Sequence, residues 1–193
     1  MMIHRPVLDH YPAARPPGAP FAPSFAPWES VGGVAGLRFR RLGWMHDPRG
    51  CLVEIARESN VGTLAQAYIT TTRRDVIKGF HLHITPSGGY DNREAQTDRF
   101  VPLGGVTLFV FYDLRSGKDG RFHEVVADAT RDTFLIEVPP GVAHGWIAIG
   151  NTESVVLNVP SLEYTGEQER RCSPHGPVEP NGPRYEWRRN RDG

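Results

Sequence analysis

Apolar residues in this chain come in short runs, and each run stops at a cluster of glycine, proline, asparagine or aspartate. Ten such runs read as strands: 37–42, 51–56, 65–71, 76–83, 99–103, 106–114, 122–127, 134–138, 145–149 and 154–159. They are rich in β-branched and aromatic residues, and they lack the 3.6-residue period of an amphipathic helix. The breaks are turn signals: Asp47-Pro-Arg-Gly50, Pro86-Ser-Gly-Gly89, Gly104-Gly105, Ser116-Gly-Lys-Asp-Gly120, Pro139-Pro-Gly141 and Gly150-Asn151. Many short strands joined by tight turns must bury their apolar faces against each other, as a sandwich or a jelly-roll barrel. Only residues 163–171 read as a helix, a short one near the C-terminus. The expected fold is all-β, a jelly-roll barrel with that helix and an extended N-terminal arm.

The arm is residues 1–30, where proline every few positions forbids helix and central strand. Phe21, Phe25 and Trp28 give it the means to lie against a body. A single domain, 31–171, follows, and then a proline-rich, basic tail, 172–193, a proline-broken coil whose basic end from Arg184 is expected to fray in solvent, with a phosphate-binding tail as the alternative. With 22 basic and 22 acidic side chains, the net charge of zero gives no cause to expect nucleic acid or an anionic membrane as partner. No apolar stretch approaches the ~20 residues of a spanning helix. Cys51 and Cys172 form no C-x-x-C pair, and no signal peptide is recognisable, so a reduced, cytoplasmic protein is expected.

The chemistry centres on Val76-Ile-Lys-Gly-Phe-His-Leu-His83. Strand alternation puts Ile77, Gly79, His81 and His83 on one face and Lys78, Phe80 and Leu82 on the other. Two neighbouring imidazoles alone suit a surface or hydrogen-bonded pair. Pro139-Pro-Gly-Val-Ala-His-Gly-Trp146, however, delivers a third histidine, His144, onto another strand. Residues 87–96, a long polar loop, are a candidate lip over a pocket.

These blocks resemble the dTDP-4-dehydrorhamnose 3,5-epimerases and related nucleotide-sugar epimerases, which are cupin-type jelly rolls. The resemblance covers about residues 47–170. Asp47-Pro-Arg-Gly-Cys-Leu-Val-Glu54 is similar to the family's Asp-x-Arg-Gly-x-x-x-Glu, and Val76-Ile-Lys-Gly-Phe-His81 to its Val-Leu-Arg-Gly-Leu-His. Gln66, Ala95-Gln96, Tyr112-Asp-Leu-Arg115, the His144 block, and Tyr164 with Glu169-Arg170 follow in the family's order. The resemblance implies a homodimer that exchanges strands, a nucleotide-diphosphate sugar in the barrel mouth, and no cofactor. It implies His81 as the proton-abstracting base. Arg49, Glu54, Gln66, Lys78, His144, Tyr164 and Glu169 fall at substrate-contact or site-lining positions. The departures are specific. Asn158 stands where the family has its proton-donating tyrosine. Asp98 replaces the site lysine, with Arg99 next to it, and Lys78 replaces an arginine. The Leu-Ser-x-Lys-Asp segment that carries the family's histidine-orienting carboxylate has no counterpart after Cys172.

Inversion beside a ketone needs a base, donors or positive charge for the enolate, and an acid on the opposite face. Neutral histidine, with an unperturbed pKa of about 6.5, suits the base. Lys78 can share a site with His81 only if a bulge at Gly79 breaks the alternation. Arg99 could hold the enolate or the diphosphate. Asn158 can donate a hydrogen bond but no proton at a useful pKa. Tyr68 and Tyr90 are replacement acids or packing residues. The expected function is inversion at one or two centres of a dTDP-4-keto-6-deoxyhexose, with His81, Lys78 and Asn158 at the reacting carbon. Two alternatives stand beside it. One is a metal-dependent cupin binding zinc, iron or manganese through His81, His83 and His144. There Glu94 or Gln96 would replace the glutamate that Ser87 and Gly88 do not supply. The other is a sugar-nucleotide binder without turnover.

Overall fold

In the computed structural model, residues 25–91, 93–115 and 120–187 are described. The expected arm over residues 1–24, most of the turn at 116–120 and the tail end at 188–193 lie outside them. The strands are β1 (Glu29–Ser30), β2 (Arg38–Arg41), β3 (Trp44–Asp47), β4 (Gly50–Val53), β5 (Tyr68–Thr72), β6 (Ile77–His83) and β7 (Asp98–Gly104). They continue with β8 (Val106–Asp113), β9 (Phe122–Asp128), β10 (Phe134–Val138), β11 (Val142–Ala148), β12 (Ser154–Asn158) and β13 (Glu169–Arg171). One helical turn, α1 (Glu58–Val61), precedes β5. Every expected run contains a strand; β1, β3, β13 and α1 were not expected.

Two antiparallel sheets face each other, ordered β1-β2-β10-β7-β12-β5 and β13-β6-β11-β8-β9. The β3–β4 hairpin pairs with neither. Between the sheets lie Leu37, Phe100, Phe109, Phe111, Ile136, Val138 and Trp146. Alternation sends Phe80, Leu82, Leu108, Val110 and Ile147 to the outer face of the five-stranded sheet. The chain beyond Cys172 covers them: Val178 and Tyr185 are buried there, and the Trp187 ring lies 5.3 Å from Phe80. The fraying expected from Arg184 onward therefore does not hold for residues 184–187, because this sheet has a second apolar face to cover.

The outer face of the six-stranded sheet buries Leu42, Val101 and Leu135 under Val61, Phe25 and Trp28. The Arg40 guanidinium stacks on these two aromatic rings, 4.2 Å from Phe25 and 4.4 Å from Trp28. The part of the arm that is described thus lies on the body, as its aromatics suggested.

The expected C-terminal helix is absent. Its last residues form β13, which pairs with β6 through Glu169↔His83, Arg170↔Leu82 and Arg171↔His81. Ile84 also donates its N–H to the Gln168 carbonyl at 3.0 Å. The free edge of β6 offers backbone partners that a nine-residue helix of ordinary propensity cannot outweigh.

Candidate active site

The site begins at an irregularity in β6. Opposite β11, His81 pairs with His144, but Lys78 pairs with Trp146, so three steps on β6 span two on β11. Such a bulge inverts the alternation on one side of itself. Lys78 therefore shares the inward face with His81, and Ile77 joins Phe80 and Leu82 in the outer cluster. This corrects the strict alternation expected from sequence and supplies the bulge that Lys78 required. Gly79 permits it. Its φ is +121°, and a Cβ there would lie 2.5 Å from the Gly145 Cα and 2.9 Å from the His144 carbonyl oxygen.

His81 projects between the sheets, with its side chain 25 % exposed. Its Nδ1 is hydrogen-bonded to Glu169 Oε1. The other Glu169 oxygen accepts from the Tyr164 hydroxyl at 2.9 Å and from Arg171 Nε at 3.2 Å. Glu169 thus holds the His81 ring through Nδ1 and is itself held by Tyr164 and Arg171. The pairing fixes a hydrogen on Nδ1 and leaves the Nε2 lone pair free. Burial and the neighbouring His144 lower the His81 pKa below 6.5, and the Glu169 bond only partly opposes them. The imidazole is therefore neutral near pH 7, as a base must be. Burial pushes the Glu169 carboxyl up, but the bonds from His81 and Tyr164 outweigh it and leave the pKa below 4.5.

Behind His81 lies a network centred on Asp98, which is 1 % exposed. Asp98 Oδ2 stands 2.8 Å from His83 Nε2 and 3.0 Å from His144 Nε2. Oδ1 accepts from Gln96 Nε2 at 2.7 Å and from Asn158 Nδ2 at 2.8 Å. Burial alone would raise its pKa, but the charge on His83 and the His144 bond hold the carboxyl well below 3.8. Burial lowers the His83 pKa, but the Asp98 charge prevails and raises it. His144 Nδ1 donates to the Val142 carbonyl at 3.1 Å. Its ring lies between the other two histidines, with centroids 5.9 Å from His81 and 5.5 Å from His83. Asn158 also bonds the Tyr68 hydroxyl at 2.8 Å.

Three sequence expectations are not met in this chain. Arg99 follows Asp98 on β7 and so points out of the barrel. It binds Glu137 Oε2 at 3.1 Å, the Thr63 carbonyl at 2.8 Å and the Val61 carbonyl, and it anchors α1 rather than a substrate. Arg49 sits at the β3–β4 turn, 88 % exposed and paired with Asp47 at 2.6 Å. Glu54 pairs with Arg57, away from His81. The Tyr90 ring lies beside Gly141, in keeping with the packing alternative. Gln66 has a buried Nε2 with no hydrogen-bond partner among the described residues.

The residues that converge as a metal set also differ from expectation. Among the described residues, His83, Asp98 and His144 bring ligating atoms within 4.8 Å of one another. His81 is not among them; its Nδ1 is bonded to Glu169. Both Asp98 oxygens already accept two bonds, so the network is complete without an ion. The replacement of lysine by Asp98 signalled altered chemistry. The histidine partners of Asp98, and Glu169 as the partner of His81, had no local signal.

No family model matches the chain. It is 29 % identical over 139 residues to the Bacillus subtilis spore coat polysaccharide biosynthesis protein SpsL, covering 70 % of this chain and 85 % of that one. It is 27 % identical over 126 residues to a probable low-salt glycan biosynthesis epimerase, Agl13, of Haloferax volcanii, covering 63 % and 74 %. NovW of Streptomyces spheroides, a 4-keto-6-deoxy sugar epimerase from the novobiocin gene cluster, superposes with a TM-score of 0.63 at 22 % identity, over 90 % of both chains. The dTDP-4-dehydrorhamnose 3,5-epimerase of Sulfolobus tokodaii gives 0.63 at 22 %, over 77 % and 83 %. The chain thus has the fold of the dTDP-4-dehydrorhamnose 3,5-epimerases and related sugar epimerases.

Proposed function

We propose that the protein is a nucleotide-sugar epimerase that inverts a carbon beside the 4-keto group of a dTDP-4-keto-6-deoxyhexose, with His81 as base. The observation that carries this reading is the pairing of a half-buried, neutral His81 with Glu169 between the two sheets. Nδ1 is held by the carboxylate, so Nε2 is the nitrogen that takes the proton α to the ketone. The Lys78 ammonium, brought to the same face by the bulge, offsets the enolate charge. The buried Gln66 Nε2, without a hydrogen-bond partner among the described residues, is a donor left for the bound sugar nucleotide. The names of NovW and Agl13 point to the same reaction class. The test is proton NMR of dTDP-4-keto-6-deoxyglucose incubated with the protein. New ring couplings from an inverted C3 or C5 are expected; their absence with the substrate bound would leave a binding protein without turnover.

No cofactor is needed for this chemistry. A metal-dependent enzyme is the less favoured reading, supported by the His83, Asp98 and His144 cluster alone. We also infer a homodimer in which the β3–β4 hairpin reaches the partner's barrel mouth with Arg49. The hairpin joins neither sheet and exposes Trp44 and Leu52. Mixing Arg49→Ala and His81→Ala chains would regain activity if the sites are shared and would stay inactive if they are not. Two free cysteines fit a reducing cytoplasm. Among the described residues no helix is long and apolar enough to cross a membrane.

A further inference from the structure

The reaction proposed above needs an acid on the face of the sugar opposite His81, and Asn158 cannot be that acid. We propose that Tyr68 is the proton donor, its phenol standing one strand away from the position the tyrosine would otherwise hold. Tyr68 and Asn158 are direct cross-strand partners on β5 and β12. Their side chains meet, Asn158 Nδ2 to the Tyr68 oxygen, at 2.8 Å.

The orientation of that bond decides what the phenol can do. Asn158 Oδ1 accepts the Arg99 backbone N–H at 3.0 Å, which fixes the amide. Its Nδ2 then gives one hydrogen to Asp98 Oδ1 and the other to the Tyr68 oxygen. Tyr68 is the acceptor in this contact, so its own hydrogen is free to be directed into the barrel mouth. Burial, the Asp98 charge and, more weakly, Glu169 and Tyr164 push the phenol up to about 12, against the Asn158 bond, and keep it protonated at neutral pH.

Placement agrees with the stereochemistry. His81 is on the five-stranded sheet and Tyr68 on the six-stranded sheet that faces it. A sugar between the sheets meets base and acid from opposite sides. Tyr164 is on the base's side and donates to Glu169, so its proton is already directed to the orienting carboxylate. Tyr68 is 42 % exposed, so water can restore its proton after each turnover.

The protons balance without a co-reactant. His81 Nε2 takes the α-hydrogen, and the C–H electron pair moves into the enolate. The enolate carbon then takes the Tyr68 hydrogen from the other face, leaving a phenolate. His81 releases its proton to water, and the phenolate takes one back.

This inference rests on the epimerase reading, and one experiment in D2O separates the two. The substrate, dTDP-4-keto-6-deoxyglucose, is followed by NMR for deuterium at the α-carbon and for configuration at the same carbon. In Tyr68→Phe, deuterium exchange through His81 should continue with retention, while inversion falls at least a hundredfold. Inversion within about threefold of wild type would overturn the assignment, and so would loss of exchange together with inversion. Absence of exchange in the wild type would instead reject the epimerase reading itself. Trifluorotyrosine at position 68 keeps the shape and lowers the phenol pKa. It should bring an alkaline limb into the inversion profile at lower pH than in wild type, with no such limb in the exchange profile. An inversion profile identical to wild type would again overturn the proposal.

Discussion

Replacing Glu169 by Gln keeps the shape of the orienting residue and removes its charge. Three consequences follow from its contacts. The bond to His81 Nδ1 loses its charge assistance, the amide can present either an oxygen or an NH2 group, and the wrong tautomer of His81 becomes accessible. A hydrogen bond to a charged group contributes about 1.5–3 kcal/mol. At about 1.36 kcal/mol per tenfold, that converts to a kcat lower by roughly 10- to 150-fold. Glu169 is only 8 % exposed, so water replaces little of the loss, whereas His81 at 25 % recovers some. The pH profile gives an independent sign. His81 acts as a neutral base, so activity falls as pH drops through its pKa. Glu169 raises that pKa against burial and His144. In Glu169→Gln the acid limb should therefore move to lower pH while the plateau falls. The assay is the rate of α-deuterium incorporation into dTDP-4-keto-6-deoxyglucose from pH 5 to 8. A plateau within twofold of wild type, or an acid limb displaced upward, would refute the orienting role.

Three other outcomes are expected. Asp98→Ala leaves donors on His83, His144, Gln96 and Asn158 without their acceptor; breaking a buried pair costs about 3–5 kcal/mol, or roughly 6–20 °C in Tm for a chain this size. The Asp98 pKa is depressed on folding, so its contribution is present above the ordinary 3.8 and is lost as pH falls through the folded value. The acid side of wild-type unfolding should thus be steeper than that of Asp98→Ala, and a Tm unchanged by the substitution would contradict the network. Arg99→Leu should lower Tm and leave KM for the sugar nucleotide within twofold, because the guanidinium anchors α1; a KM rise of tenfold at intact Tm would return Arg99 to the site. Elemental analysis of purified protein should find no stoichiometric zinc, iron or manganese. One equivalent lost in His83→Ala would favour the metal reading.

The strands were legible because their signals are local: β-branched runs with Gly and Pro breaks set β5 to β12 within a few residues. The inward histidines were legible for the same reason. Lys78 was not, because the bulge comes from how β6 meets β11, and nothing in Ile-Lys-Gly-Phe announces it beyond Gly79. Glu169 looked like part of a short helix, since its three-residue strand has no period of its own and exists only as the partner of β6. Arg99 was assigned to the site by adjacency to Asp98, but on a strand adjacent residues face opposite ways. The likeness of the chain to sugar epimerases pointed to His81 as the candidate base. Tyr68 was named beside Tyr90 as a replacement acid, but nothing in the sequence chose between them, because the relation of Tyr68 to Asn158 is a cross-strand contact 90 residues apart in sequence.

The central claim is that the His81 imidazole removes a carbon-bound hydrogen beside a ketone. Incubating the protein with dTDP-4-keto-6-deoxyglucose in D2O and reading the C3 and C5 signals by NMR tests it most directly. The expected result is deuterium at one or both carbons with wild type and none with His81→Ala of equal Tm. Deuterium incorporation that persists in His81→Ala, or none in wild type with the ligand bound, would contradict it.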